Sequence, residues 1–147
     1  MKQRVLFLCT HNSARSQMAE GLVRSLPGDR FEAFSAGTEA TQVRPLAIKV
    51  MAELGIDIAG QQSKTLDRYL NNPFDVVITV CNEANEVCPV FLGAKKRWHW
   101  SLPDPSKATG TEDEQLAVYR HVRDTLRTRI EQELLNQHEG DTYVSGD

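Results

Sequence analysis

The residues of this chain best suited to chemistry form a Cys-x5-Arg segment that runs from Cys9 to Arg15. A short apolar run precedes the segment and a helical pattern follows it, so the segment joins the end of a strand to the start of a helix. Backbone N–H groups of such a loop, together with the helix N-terminus, form a concave site that attracts an anion. Arg15 adds a planar guanidinium able to hold two oxygens of a tetrahedral oxyanion. The segment therefore predicts an oxyanion-binding loop.

Cys9 is the expected nucleophile of this loop. The positive surroundings that attract an anion also favour the thiolate, which is the reactive form of cysteine. Ser16 is placed to donate a hydrogen bond to that thiolate, and Asn12 tolerates the left-handed backbone that tight loops often require. A thiolate beneath an oxyanion is a nucleophile for phosphoryl-like centres. The alternative is a buried thiol followed by a solvent-exposed Arg15, and the flanking strand and helix make it the weaker interpretation.

Two further cysteines and one acidic residue are candidates for the same chemistry. Cys81 or Cys88 alone would more often be a buried thiol, but the Cys-x6-Cys pair after a strand favours a redox role. A zinc site built from the three cysteines and a histidine is an alternative, although no C-x2-C or H-x3-H pair is present. Asp104 lies between two prolines and is either a turn residue or a general acid.

Four apolar or alternating runs are predicted as strands, and helical patterns separate them. The predicted strands cover Val5–Leu8, Phe31–Phe34, Val76–Val80 and Arg97–Ser101. Helices are predicted from Ser16 through Val23, from Pro45 to Leu54, after an N-cap at Ser63, and after a capping box of Thr111 and Glu114. Strands that alternate with helices predict an α/β fold with a doubly wound, mostly parallel sheet.

The predicted strands also position the candidate residues. In an open α/β sheet, ligands bind beyond the carboxyl ends of the strands. Cys9 follows the first strand, Ser35–Gly37 the second, Cys81 the third and Asp104 the fourth. We therefore expect these residues to meet at one edge of the sheet.

Length and composition exclude several classes of protein. The chain has 147 residues, 40% of them apolar, which suits one globular domain. We expect this domain over residues 1–135 and a frayed C-terminal tail over 136–147. The net charge of −3 argues against a nucleic-acid binder. No apolar run approaches the ~18 residues that a membrane helix needs, so a cytoplasmic protein is expected. Three cysteines do not form a disulfide framework.

Several segments together resemble the thioredoxin-coupled arsenate reductases, which share the fold of the low-molecular-weight protein tyrosine phosphatases. The matching segments are Cys9–Glu20, Ser35–Gly37, Cys81 to Pro89 with its second cysteine at Cys88, and Asp104-Pro105. The resemblance extends from about Lys2 to Leu135. It implies a three-layer α/β fold in which a four-stranded parallel sheet carries helices on both faces.

The resemblance also implies a reaction, the reduction of arsenate to arsenite. Arsenate would bind in the loop formed by Thr10, His11, Asn12, Ser13, Ala14, Arg15 and Ser16. Cys9 would attack arsenic while Asp104 protonates the leaving oxygen. Cys81 would then attack the Cys9 sulfur and expel arsenite, Cys88 would attack Cys81, and thioredoxin would reduce the Cys81–Cys88 disulfide. No cofactor and no metal centre are expected, the charge and the apolar runs predict no nucleic-acid or membrane partner, and a monomer is expected.

The relay requires the segment between the two resolving cysteines to bend. If residues 81–88 were helical, the Cα atoms of Cys81 and Cys88 would be about 10 Å apart. A disulfide tolerates about 7 Å between Cα atoms. We therefore predict that residues 81 to about 92 rearrange on oxidation.

Two rival functions and one departure remain open. Tyrosine phosphatases of this fold carry a second cysteine where this chain has Ala14, and tyrosines where it has Ser106 and Lys107. A non-catalytic oxyanion- or metalloid-binding regulator would need no activated thiol. For a reductase, the electron donor could be a glutaredoxin or a small thiol instead of thioredoxin.

Some relatives bind potassium through positions matching Asn12, Glu20 and an acidic residue, but this chain has Lys64 in place of that acidic residue. Weak or absent potassium dependence is therefore predicted.

Overall fold

All four predicted strands are present in the computed structural model, and they pair in parallel. The structure describes residues 2–28, 30–82, 91 and 93–135. The strands are β1 (Gln3–Cys9), β2 (Phe31–Gly37), β3 (Phe74–Thr79) and β4 (Ala94–His99). Their order across the sheet is β2-β1-β3-β4. The chain therefore leaves β1 for one side of the sheet and continues at β3 on the other side, which creates a topological switch point between β1 and β3.

The helices follow the start signals in the sequence. They are α1 (Arg15–Arg24), α2 (Pro45–Ala52) and α3 (Glu112–Arg129), with short 3-10 helices at Leu66–Tyr69 and Pro105–Lys107 and a π-helical turn at Ile130–Leu134. Helix α2 begins at Pro45, whose fixed φ suits the first helical position. Helix α3 begins with the predicted capping box: the Glu114 N–H donates to Thr111 Oγ1, and the Thr111 N–H donates to Glu114 Oε1.

The prediction that Ser63 caps a short helix is wrong. That helix is a single 3-10 turn, and its N-cap residue is Thr65, which makes no side-chain cap. Ser63 Oγ instead donates to the carbonyl of His11 (3.1 Å) and accepts from the N–H of Thr41 (2.8 Å). Its hydroxyl therefore links two distant backbone segments, and these tertiary partners replace the local cap.

The two faces of the sheet pack against different layers. One face contacts α1, α2 and α3 in a large apolar core. The other is covered by the 3-10 helix at Leu66–Tyr69 together with Phe91. Residues Val5 to Leu8 of β1 are fully buried because both faces are covered, which explains their continuous apolar run. The expected three-layer α/β architecture is confirmed.

Strand β4 lies at one edge of this sheet and begins three residues earlier than predicted. The additional residues include Lys95 and Lys96, whose charges suit a strand with one unpaired edge. Within the described residues, no helix has the length and apolar character needed to span a membrane. The predicted tail over 136–147 lies outside the described residues.

Candidate active site

The predicted oxyanion loop lies at the switch point of the sheet. Strand β1 ends at Cys9, and α1 begins at Arg15. The predicted loop residues Thr10, His11, Asn12, Ser13 and Ala14 connect these two elements. The N-cap residue of α1, Ala14, makes no side-chain cap, and the helix dipole places partial positive charge at this end of α1.

Cys9 lies at the base of the loop as a buried free thiol. Its Sγ is 2.8 Å from Ser16 Oγ and accepts a hydrogen bond from the backbone N–H of Asn12 at 3.2 Å. The sulfur thus accepts one backbone hydrogen bond and lies within hydrogen-bond distance of one hydroxyl. The predicted contact between Ser16 and Cys9 is therefore present.

The loop turns sharply at Asn12 and lies directly against β2. Asn12 has a φ of 49°, in the left-handed region. Gly37 at the end of β2 pairs with Cys9 in the sheet register. A Cβ atom on Gly37 would lie 2.7 Å from the carbonyl oxygen of Thr10 and 2.8 Å from the N–H nitrogen of Asn12. Only glycine therefore lets the loop approach β2 this closely, which explains the Ser-Ala-Gly segment at this strand end.

Hydrogen bonds on the outside of the loop orient its peptide units. The carbonyl of Thr10 accepts from the N–H of Glu39 (3.0 Å), and the carbonyl of Ser13 accepts from the N–H of Arg44 (2.9 Å). These carbonyls face away from the loop centre. Because the C=O and N–H of one trans peptide unit point in opposite directions, the N–H groups of the same units face inward. The loop therefore presents backbone donors to an anion above Cys9.

Arg15 and Asp104 are brought together beside the loop. The Arg15 side chain is 2% exposed; its Nη1 donates to the carbonyl of Leu102 (3.1 Å), and its Nη2 lies 3.8 Å from Asp104 Oδ2. Asp104 Oδ1 accepts hydrogen bonds from the N–H and the Oγ of Ser106, at 2.9 and 2.6 Å. The other carboxyl oxygen of Asp104 therefore faces Arg15, where an oxyanion held by the guanidinium would meet it.

Cys81 follows β3, the strand beside β1. It is fully buried, and in contrast to Cys9 its sulfur is disulfide-bonded. The backbone at the end of β3 is tied to β1 because the Val80 N–H donates to the carbonyl of Leu8 (2.8 Å). Cys88 lies outside the described residues, as does most of the segment predicted to rearrange on oxidation.

A buried charged cluster lies behind the loop. Glu20, 2% exposed, accepts a hydrogen bond from Ser35 Oγ (2.5 Å) and pairs with Arg24 (2.8 Å). Lys64 Nζ lies 3.7 Å from the same carboxylate and donates to the carbonyl of Gln62. Burial lowers the pKa of Lys64, while Glu20 opposes that shift. The ammonium of Lys64 thus lies close to Glu20, one of the side chains that the resemblance assigns to a potassium site in some relatives.

The sequence analysis missed two residues of the site, Gln17 and Gln61. Gln17 is fully buried and contacts Asn12, while Gln61 contacts Gln17 from a segment 44 positions away. The available signal was an amide side chain in the first turn of α1, between two residues that are also buried. Buried amides are nearly always hydrogen-bonded, so a buried Gln17 must have partners. Within residues 2–28, 30–82, 91 and 93–135, no group of three His, Cys, Asp or Glu side chains could hold a metal ion.

Comparison with known proteins gives consistent similarities. The family described as low molecular weight phosphotyrosine protein phosphatase matches residues 4–141. An arsenate reductase of Halalkalibacterium halodurans is 49% identical over 129 residues, which cover 88% of this chain and 93% of that protein. A solved structure of an arsenate reductase in the phosphate binding state is 35% identical, with a TM-score of 0.77 and coverage of 92% and 98%. A thioredoxin-dependent arsenate reductase of Corynebacterium glutamicum is 28% identical, with a TM-score of 0.65 and coverage of 92% and 64%.

Proposed function

Because this chain belongs to the low molecular weight phosphotyrosine protein phosphatase family, and is similar to arsenate reductases over most of its length, we propose that it reduces arsenate to arsenite. The observation that carries the proposal is the environment of Cys9. A buried thiol at the base of a predicted anion-binding loop accepts a hydrogen bond from the backbone N–H of Asn12 and lies 2.8 Å from Ser16 Oγ. This arrangement suits nucleophilic attack on a tetrahedral oxyanion.

The first step forms a bond between Cys9 and arsenic. Inward N–H groups of the loop and the guanidinium of Arg15 hold the arsenate oxygens. The Cys9 thiolate attacks arsenic, and one arsenate oxygen leaves as water after protonation. Asp104 is the proposed proton donor, since its Oδ2 lies 3.8 Å from Arg15 Nη2 on the side where the oxyanion binds.

The second step transfers electrons to arsenic. The thiolate of Cys81 attacks the Cys9 sulfur, and the electron pair of the sulfur–arsenic bond stays with arsenic. Arsenic is thereby reduced from As(V) to As(III) and leaves as arsenite, while the two thiolates are oxidised to a disulfide. Cys81 follows β3 and Cys9 ends the adjacent strand β1, so the two sulfurs approach from neighbouring strand ends.

The last steps restore Cys9. Cys88 attacks the Cys81 sulfur, which releases the Cys9 thiolate and moves the disulfide to Cys81 and Cys88. A dithiol donor then reduces that disulfide, and thioredoxin is the proposed donor. The free Cys9 beside a disulfide-bonded Cys81 supports this order, because it is the state that the relay reaches before the donor acts. A thioredoxin partner also supports a cytoplasmic location, since that compartment keeps dithiols reduced.

Arsenate-dependent oxidation of NADPH, coupled through thioredoxin and thioredoxin reductase, tests the proposal. Wild-type protein should turn over continuously. Cys88→Ser should release at most one equivalent of arsenite. Without the Cys88 thiolate, the Cys9–Cys81 disulfide persists and Cys9 is not restored. Cys9→Ser should release none. Continuous turnover by Cys88→Ser would contradict the three-cysteine relay.

A phosphatase is the second candidate, because the loop binds tetrahedral oxyanions without a requirement for arsenic. Hydrolysis of p-nitrophenyl phosphate at a rate above that of arsenate reduction would favour it. Slow hydrolysis beside efficient arsenate reduction would be a side activity of the same loop. Slow labelling of Cys9 by iodoacetamide near neutral pH, with neither activity, would instead favour a non-catalytic oxyanion-binding protein.

A further inference from the structure

The Gln17 side chain is fully buried between the loop and the segment that carries Gln62. Its Nε2 lies 2.9 Å from Asn12 Oδ1, 3.1 Å from the carbonyl oxygen of Asn12 and 2.9 Å from the carbonyl oxygen of Gln62. An amide nitrogen has two hydrogens, so one of these three contacts is shared. Gln17 therefore holds both the backbone and the side chain of the left-handed residue.

Gln61 reinforces the orientation of the Gln17 amide that the carbonyl oxygens of Asn12 and Gln62 require. The Nε2 of Gln61 donates to Gln17 Oε1 at 2.7 Å and to the carbonyl of Gln17 at 3.1 Å. An amide oxygen only accepts and an amide nitrogen only donates. Because Oε1 receives the Gln61 donor, Nε2 of Gln17 must face the oxygens of Asn12.

Gln17 and the backbone N–H of Lys64 together fix the orientation of the Asn12 amide. Asn12 Oδ1 accepts from Gln17 and from the backbone N–H of Lys64 (2.7 Å). The Nδ2 of Asn12 is consequently turned to Ser16 Oγ, to which it donates at 2.8 Å. If the Asn12 amide were reversed, its Nδ2 would face two donors, Gln17 Nε2 and the backbone N–H of Lys64.

The last hydrogen bond of this series ends on the nucleophile. Ser16 Oγ accepts from Asn12 Nδ2 and lies 2.8 Å from Cys9 Sγ. Its own hydrogen is then available for the sulfur, and a hydroxyl that donates to a thiolate favours the ionised form. The hydrogen bonds thus run in one direction from Gln61 through Gln17, Asn12 and Ser16 to Cys9.

We propose that Gln17, whose orientation Gln61 reinforces, is a positioning residue that makes Ser16 donate to Cys9 and keeps Asn12 in its left-handed conformation. This inference rests on the proposed function, in which Cys9 is the nucleophile. Gln17 donates to Asn12, and it acts on Cys9 through that residue. Its effect is therefore on the thiolate population and the shape of the loop.

The test measures how the alkylation rate of Cys9 depends on pH. Fully reduced full-length protein is labelled with iodoacetamide over a range of pH, and label on the Cys9 peptide is quantified by mass spectrometry. Gln17→Met retains the side-chain length and removes the donors. We expect its midpoint of labelling to rise by about one pH unit, the size expected when a hydrogen bond to a charged group weakens. Inorganic phosphate should protect wild-type Cys9 better than Cys9 of the variant.

Two further variants make the result specific. Gln61→Met changes a partly exposed side chain and should raise the midpoint by a smaller amount, even if Gln17→Met fails to fold. Gln115→Met is the matched control, because Gln115 also donates to a carbonyl, that of Gly110, but lies on α3. It should leave the midpoint unchanged.

The outcomes separate this inference from the proposed function. One outcome would overturn the role of Gln17 but leave the proposed function intact. In it, wild-type Cys9 labels readily and is protected by phosphate, and both Gln17→Met and Gln61→Met have the same labelling midpoint as wild type. An equal shift in Gln115→Met would also overturn it, since the effect would be unspecific. A wild-type Cys9 that labels as an ordinary thiol and gains no protection from phosphate would overturn both.

Discussion

Arg15 combines a charge with a fixed orientation, and both matter for anion binding. Its guanidinium is held by the carbonyl of Leu102 and lies beside Asp104. A lysine at this position would keep the charge but lose the planar pair of donors and the bond that orients it. The residue therefore contributes through its geometry as well as its charge.

We expect Arg15→Lys to lower kcat/KM for arsenate by about 100-fold or more, the size usual for the loss of a donor that stabilises a transition state. Steady-state kinetics with thioredoxin and its reductase measure the effect. Arg30→Lys is the control, because Arg30 is exposed and donates to the carbonyl of Leu135. Near wild-type kinetics for Arg15→Lys would show that charge alone suffices.

Lys64 allows a second prediction for a single residue. Its ammonium lies 3.7 Å from Glu20 and donates to the carbonyl of Gln62. A cation is thus already supplied to the buried carboxylate by the chain itself. We expect equal arsenate turnover in potassium and sodium chloride at matched ionic strength. Severalfold activation by potassium would contradict this role of Lys64.

The contact between β2 and the loop is the critical packing between elements at this site. A Cβ on Gly37 would meet backbone atoms of Cys9, Thr10 and Asn12 at 2.7 to 2.9 Å. Backbone atoms, unlike the end of a flexible side chain, cannot move away without displacing the loop. The position of the oxyanion site therefore depends on the absence of one methyl group.

We expect Gly37→Ala to cost about 1–3 kcal/mol of stability, as overpacking usually does, and to abolish measurable phosphate binding. Calorimetric titration and thermal unfolding give the two quantities. Gly60→Ala is the matched control, since nothing lies within 4 Å of a Cβ built there. Wild-type phosphate affinity in Gly37→Ala would show that the loop tolerates displacement from β2.

The elements around the loop were predictable because each carries a local signal. The apolar run of β1, the proline of α2 and the capping box of α3 were all read correctly, and membership of the phosphatase family is confirmed. The meeting of Cys9, Arg15 and Asp104 followed from the rule that ligands bind at strand ends. Local patterns and one topological rule were therefore enough for the position of the site.

The remaining parts of the site depend on partners that are distant in sequence. Ser63 looked like a cap but bonds His11, 52 positions away. Gln17 carries no signal of its own in the sequence, yet its partners include Gln61 and the carbonyl of Gln62. Such contacts depend on how loops pack against one another, and no periodicity in a single sequence records them.

On the scale of the whole molecule, one carboxylate links the C-terminal end of α2 to α3. Glu53, just after α2, accepts hydrogen bonds from Arg120 and Arg123 of α3, some 70 positions away. Arg123 also donates to the carbonyl of Val50 in α2 (2.8 Å). This cluster connects parts of the chain that are about 70 positions apart in sequence.

The same carboxylate predicts how stability depends on pH. Hydrogen bonds from Arg120, and then from Arg123, lower the pKa of Glu53 from 4.5 to about 2. Because the pKa of Glu53 is lower in the folded state, its ionised carboxylate stabilises the fold. This contribution to the free energy of unfolding is complete above pH 4.5 and is lost as the pH falls towards about 2. Urea unfolding of wild type and Glu53→Gln should therefore differ most near neutral pH and converge in that acidic range. Glu112→Gln, which breaks an exposed pair with Lys49, should change stability little at any pH. A constant difference between wild type and Glu53→Gln across the acidic range would mean that Glu53 stabilises the fold through packing rather than through its charge.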